Sequence, residues 1–310
     1  MEIWKHYYTP ATVDEALQLL SEHAGNARII AGGTDLLIDL QYGDDAHPLD
    51  ALVDLTRVAE MTSISEVDGI CTVGGAVTHT AITQSVLLEA GATCLVESCG
   101  VVGGPQVRNV ATLGGNVAHA LPAGDGTTSL MALNAEAEVA WGGADSVSRR
   151  EWLPLAQLFQ GPGLSALDSS KDILVAFRFR LTAEREGTAF NRIMRPQGVA
   201  LPVLGCAVWV RLSQDRAYYE EVRVSIAPVA PTPILADAVS EALCGQPTND
   251  ETLERAVAAA HESLKPRTSK YRATGEYRQH MIGTLLRRTL PLAVERARTG
   301  IAHAEGVGMG

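Results

Sequence analysis

Aromatic side chains are scarce in this chain: 4 Trp, 4 Phe and 7 Tyr make up 5% of 310 residues, so its cores have to be aliphatic. Basic charge is short as well. Lys and Arg number 25 against 36 Asp and Glu, a formal net charge of -11, whereas a broad nucleic-acid surface needs a concentrated basic field. Only a local basic pocket is compatible with that balance. The 5 cysteines (Cys71, Cys94, Cys99, Cys206, Cys244) are odd in number and lack paired spacing, which favours buried thiols in a reducing compartment over a disulfide framework. No apolar run approaches the roughly 20 residues that span a bilayer. The start, Met1-Glu2-Ile3-Trp4-Lys5-His6, lacks the basic stretch and apolar run of a secretory signal, so a cytoplasmic location is expected.

Several chemistries lack their residues. The 8 histidines (His6, His23, His47, His79, His119, His261, His280, His303) are dispersed, with no His-Glu-x-x-His, so a protein-ligated metal is not expected. Cys94 and Cys99 alone cannot hold an iron–sulfur cluster, which usually takes four thiolates. There is no Gly-x-x-x-x-Gly-Lys-Ser/Thr loop, and the terminal Gly306-Val307-Gly308-Met309-Gly310 is followed by no helix, so the P-loop and Rossmann readings both fail. No nucleophile elbow supports hydrolase chemistry.

The length favours two or three domains over one large core. Thr12-Val13-Asp14-Glu15 fits a capping box opening an amphipathic helix through Ala16, Leu17, Leu19 and Leu20. Strands are predicted at Ala51 to Leu55, Ile70 to Gly75, Ala137 to Trp141 and Asp172 to Phe179, with helices over Thr78 to Glu89 and Ser129 to Leu133. Between them runs a long turn-rich loop, His119 to Gly126. The C-terminal part orders three strands (Ala189 to Met194, Leu204 to Leu212, Val222 to Pro228) before three helices (Asp237 to Leu243, Asp250 to Leu264, Glu276 to Ala297), an α+β arrangement in which Pro291 is predicted to kink or interrupt the last helix.

Two glycine pairs stand out. Ala31-Gly32-Gly33-Thr34-Asp35 follows the apolar run Arg28-Ile29-Ile30-Ala31 and precedes Leu36-Leu37-Ile38-Asp39-Leu40, which reads as strand, sharp turn, then helix or extended segment. Ala111-Thr112-Leu113-Gly114-Gly115-Asn116 supplies a second pair about eighty residues on. Each turn either binds nothing and serves a positive φ, or brings bare amides against a phosphate. Two such turns suggest a long anionic dinucleotide. Asp125 either stabilises its turn or accepts hydrogen bonds from ribose hydroxyls. Arg108 either neutralises a pyrophosphate or makes a structural salt bridge. Phe190 and Arg192 share a strand face, as a core aromatic and a solvated arginine or as a platform for a planar ligand.

Together with Gly104-Pro105-Gln106-Val107-Arg108-Asn109, the two glycine segments and the downstream Asp125 resemble the FAD-binding medium subunit of the molybdenum hydroxylases, the family of xanthine dehydrogenase and carbon monoxide dehydrogenase. Asp172-Ile173-Leu174-Val175-Ala176-Phe177, Ala230-Pro231-Thr232-Pro233-Ile234 and Tyr271-Arg272 through Tyr277-Arg278 look like later segments of that family, so the resemblance covers nearly the whole chain. It implies an α+β protein: a two-part FAD-binding α/β domain of the vanillyl-alcohol-oxidase-like type, residues 1–57 and 58–180, then a C-terminal α+β domain, 181–310, that completes the flavin pocket.

By the same resemblance, Arg28-Ile29-Ile30-Ala31-Gly32-Gly33-Thr34-Asp35 and Ala111-Thr112-Leu113-Gly114-Gly115-Asn116 would wrap the FAD pyrophosphate, Asp125 would bind a ribose or ribityl hydroxyl, and Ile173 and Phe190 would contact the adenine or flavin part. No catalytic residue is implied in this chain. The implied partners are a small [2Fe-2S] subunit and a large molybdopterin subunit, as a dimer of heterotrimers, with NAD+ or another electron acceptor. Hydroxylation of an N-heterocycle or aldehyde would then belong to the molybdopterin subunit. Two other readings are a self-contained flavin oxidase and a scaffold subunit without cofactor.

Overall fold

A parallel three-stranded sheet opens the computed structural model, which describes residues 3–23, 25–43, 48–142, 149–195, 201–269 and 272–306. Tyr271, His47 and the tail from Val307 to Gly310 lie outside the described residues. The elements of this part are β1 (Trp4–Tyr8), α1 (Val13–Glu22), β2 (Ala27–Ile30), α2 (Leu36–Tyr42) and β3 (Leu49–Asp54), and β3 is the central strand. Thr12 caps α1 by accepting from the Glu15 amide at 3.1 Å, while Glu15 reaches back to the Ala11 amide at 2.7 Å, one residue earlier than a strict capping box. Val13, Ala16 and Leu20 form the buried face of α1 and share a core with Ala51 and Val53 of β3 and with Val175 and Ala176 further along the chain.

Next come β4 (Ile64–Val67) and β5 (Ile70–Gly74), and then six short helices: α3 (His79–Thr83), α4 (Val86–Gly91), α5 (Thr93–Gly100), α6 (Pro105–Arg108), α7 (Leu113–Ala118) and α8 (Asp125–Ala132). Strands β6 (Glu136–Trp141), β7 (Arg149–Pro154), β8 (Phe159–Gly161), β9 (Leu164–Ser165) and β10 (Ile173–Arg180) follow. An antiparallel sheet runs β4-β5-β10-β6-β7, and β8 and β9 pair separately. In the centre of that sheet, β10 is buried continuously from Ile173 to Phe177, so its apolar run reflects cover on both faces and not alternation.

Three local expectations need correction here. The helix predicted over Thr78 to Glu89 is two helices, because Ser85 caps a new one by accepting from the Leu88 amide at 3.3 Å. The second glycine pair is no turn: Gly114 and Gly115 lie in the first turn of α7, capped by Thr112. The turn-rich loop ends at Gly124, leaving Asp125 as the first residue of α8.

In the C-terminal part, β11 (Glu186–Met194), β12 (Pro202–Leu212) and β13 (Tyr219–Ala227) form an antiparallel sheet, followed by α9 (Asp237–Leu243), α10 (Asp250–Ser263) and α11 (Gly275–Thr299). Pro291 does not interrupt α11, which runs through it as one helix and ends at Gly300 with φ of 71°. An interior proline costs about 3 kcal/mol. Burial of Leu285, Leu286, Leu290, Ala293 and Val294 against this sheet, at about 1.5–3 kcal/mol for each large side chain, outweighs it.

Candidate functional site

All three parts of the chain meet at a cleft of about 550 Å³, within the roughly 300–1,000 Å³ usual for cofactor sites. Its wall takes in the loop from Ala31 to Asp35, the start of α7, the segment ending at Asp125, the loop before β10, and Arg192 and Arg272 from the C-terminal part.

At the first glycine pair the backbone leaves β2 and turns at Gly33, whose φ of 66° suits glycine. A Cβ on Gly32 would collide with the Val110 carbonyl oxygen and sit 2.7 Å from Ala111 Cα, so this turn rests directly on the segment leading into α7. Among the described residues, the amides of Gly32, Gly33, Thr34 and Asp35 donate to no protein acceptor. Consecutive unengaged amides in a tight turn form a concave anion site.

The second pair behaves differently. Leu113 donates its amide to Val77 O at 3.0 Å, Gly114 to Gly75 O at 2.9 Å, Gly115 to Thr112 Oγ1 at 3.1 Å and Asn116 to Thr112 O at 3.0 Å. These amides are already engaged, so the expectation that both glycine segments offer bare donors holds only for the first. Gly114 is required by packing, since a Cβ there would collide with the Gly75 carbonyl oxygen. Gly115 is different: an added Cβ would meet only Thr112 Oγ1, at 3.2 Å, and the residue lines the cleft.

Beyond α7, buried polar atoms gather without partners. Among the described residues neither Asn116 Oδ1 nor Thr127 Oγ1 finds a hydrogen-bond partner, and they flank Gly124, where an added Cβ would be 3.1 and 2.9 Å from them. Asp125 is buried, and burial pushes its carboxyl up to about 6, opposed by Arg192 and more weakly by Arg272. Arg192 Nη1 donates to Asp125 Oδ2 at 2.6 Å. His79 also lines the cleft, 1% exposed, with an unpartnered Nδ1; burial, then the charge of Arg108, pushes it down to about 4, so it is neutral at pH 7. His119 Nε2 lies 3.8 Å from Asp35 Oδ1 across the cleft.

Of the residues expected at the site, Ile29, Ile30, Ala31 to Asp35, Ala111, Thr112, Gly114, Gly115, Asn116 and Asp125 line the cleft. Four stand outside its wall. Arg28 turns to the carbonyls of Gly25 and Ala27, each at 2.8 Å. Leu113 is fully buried in the core of the second part, and Ile173 in the core shared with α1. Phe190 packs its ring against Gly205, and its amide donates to Glu97 Oε2 at 2.7 Å. Arg108 bonds the Val102 and Gly103 carbonyls instead of an acid. Sequence reasoning missed His79, Arg192 as a buried residue, and Arg272. The i, i+2 spacing of Phe190 and Arg192 was the one available signal, since it puts Arg192 on the same strand face as Phe190.

A family model described as the FAD binding domain in molybdopterin dehydrogenase matches residues 2–179, more than half of the chain. The chain belongs to that family. A second model, the CO dehydrogenase flavoprotein C-terminal domain, matches residues 188–293. The xanthine dehydrogenase FAD-binding subunit of Escherichia coli O157:H7 is 30% identical over 293 residues, covering 94% of this chain and 96% of that one. The carbon monoxide dehydrogenase medium chain of Hydrogenophaga pseudoflava is 27% identical over 94% of this chain and 97% of its own. The solved carbon monoxide dehydrogenase from that organism superposes with a TM-score of 0.85 at 27% identity, covering 96% of this chain and 99% of that one. This member of the FAD-binding family is thus an oxidoreductase flavoprotein subunit of mixed helix and sheet, and among its described residues no helix is long and apolar enough to cross a membrane. The cleft fits FAD on its own chemistry. It offers unengaged amides at Gly32 to Asp35 for a diphosphate, an open face at Gly115 for close approach, and an unpaired acceptor in Asn116 Oδ1.

Proposed function

We propose that this chain is the electron-transfer flavoprotein subunit of a heteromeric molybdenum hydroxylase. The run of unengaged amides from Gly32 to Asp35, facing the cleft, carries the reading: it is built for the pyrophosphate of a dinucleotide. FAD suits such a subunit because, when bound, it accepts single electrons from a partner [2Fe-2S] cluster and yields them as a pair to NAD+ or another acceptor. The chain's own residues bind and orient. Gly32, Gly33, Thr34 and Asp35 hold the diphosphate, Gly115 lets it approach α7, and Asp125 accepts from a ribose or ribityl hydroxyl.

Substrate oxidation falls to a large molybdopterin subunit and electron delivery to a small [2Fe-2S] subunit, assembled with this one as a dimer of heterotrimers. The relatives' names, medium chains and FAD subunits of dehydrogenases, support the presence of partner subunits. A cytoplasmic location is part of the proposal, and the 5 unpaired cysteines support it. So is a division at residues 1–57, 58–180 and 181–310, which the three main sheets support.

Gly115→Val tests the reading, because its bulk enters the cleft and not the core. The expected outcome is loss of the flavin absorbance of the purified complex with an unchanged circular dichroism spectrum. Full flavin occupancy in that variant contradicts the assignment.

A further inference from the structure

Asp125 and Arg192 meet across the seam between the two matched regions, one opening α8 and the other on β11. Their side chains are 5% and 7% exposed, and both residues line the cleft. A buried carboxylate without a counter-ion is expensive, so a pair at 2.6 Å is the expected arrangement. The way it is made is informative. Arg192 spends one nitrogen on Asp125 Oδ2 and another on Met194 Sδ at 3.1 Å, while its buried Nε finds no partner among the described residues. The second carboxylate oxygen, Oδ1, is not engaged by Arg192. A tie built only to join two units would use the two-point geometry that arginine offers a carboxylate. Among the described residues Arg192 Nε is left without a partner, as are Asn116 Oδ1 and Thr127 Oγ1 around Gly124, the neighbour of Asp125.

We propose that Arg192 is a positioning residue for cofactor retention: from across the seam it fixes the Asp125 carboxylate toward the cleft, so that the C-terminal part takes a share in gripping the dinucleotide. The proposal rests on the reading of the cleft as the FAD site.

The charged and titratable groups facing Asp125 are Arg192 from β11, Arg272 from the segment before α11, and Cys99 from α5. Burial pushes the Cys99 thiol up, and the Asp125 charge adds to that, so it stays protonated. Burial raises Asp125 to about 6 and Arg192 is the chief opposing influence, so removing Arg192 moves its protonation to higher pH.

The test is FAD binding to the full-length chain, followed by fluorescence from about pH 5 to about pH 8. Wild-type affinity is expected to fall as pH drops through about 6. In R192M, affinity at neutral pH falls roughly tenfold, the scale of one charge-assisted hydrogen bond, and the midpoint of the acid loss moves up. R192K restores the midpoint, and D125N binds weakly with no acid loss in this range. A fold-maintaining role alone would not move the midpoint. If R192M does not fold, R192Q carries the same expectation. An unshifted midpoint with wild-type affinity in either neutral variant overturns the proposal, while a wild-type chain that takes up no FAD overturns the reading of the cleft itself.

Discussion

At the scale of single residues, His79 shows how burial sets chemistry. Its imidazole ionises at about 4 in the folded chain against an ordinary 6.5, because burial, and then Arg108, disfavour the charged form. The unfolded chain therefore binds the extra proton first as pH falls. The stability at stake is present above pH 6.5 and is lost as pH falls through about 4. Its full size is on the order of 3 kcal/mol. Asp125 acts with the opposite sign: raised from 3.8 to about 6, it favours the folded chain most at low pH and less as pH rises through that window. Comparing His79→Leu with wild type isolates the histidine. The variant is expected to gain on wild type in urea midpoint between about pH 7 and about pH 4.5, and a constant difference across that range would refute the account. Neither shift was legible in the sequence, where His79 and Asp125 look like any loop-adjacent polar residues. Ile173 illustrates the reverse: its position within a family motif suggested a cofactor contact, whereas its complete burial puts it in a core.

At the scale of elements, most of the regular structure could be read in advance, and the exceptions at α5, Pro291 and α7 trace to burial or to a cap. All residues of α5 are buried, its Thr93, Glu97 and Ser98 included, so no contrast between an apolar inner and a polar outer face betrays it. The continuous burial of β10 likewise hides its face periodicity, although its apolar, β-branched composition still marks it as a strand. Pro291 was read by its local cost alone, and tertiary burial prevailed. At α7, glycines that read as a turn are held helical by a cap, Thr112 Oγ1 accepting from Gly115 N at 3.1 Å. Thr112→Ala is expected to lower stability by about 1 kcal/mol, the usual value of such a cap. It also frees the Gly115 amide beside the cleft. Thermal melts of the chain with and without added FAD separate the two effects, because only the cofactor-free melt reports the cap by itself.

For the molecule as a whole, cohesion runs through a buried acid that no local pattern announces. Glu97 on α5 accepts from Arg296 Nη2 at 2.6 Å, the Phe190 amide at 2.7 Å and the Glu305 amide at 3.0 Å, joining α5, β11, α11 and the segment after α11. Arg296 also donates to Thr188 O at 2.7 Å. Partners this far apart along the chain leave no trace at helix or strand spacing. Glu97→Ala leaves the Arg296 charge buried and unmatched, and a loss of about 3–5 kcal/mol in denaturant titration is expected. A loss below about 1 kcal/mol would mean that Arg296 finds other acceptors.

Contact between the Gly32 backbone and the Val110 carbonyl sets how closely the first two parts of the chain fit together. The amide-lined turn sits hard against the approach to α7, with no room for even a methyl group between them. Glycine at this one position is therefore what lets the two segments touch, and a Gly32→Ala chain has to prise them apart.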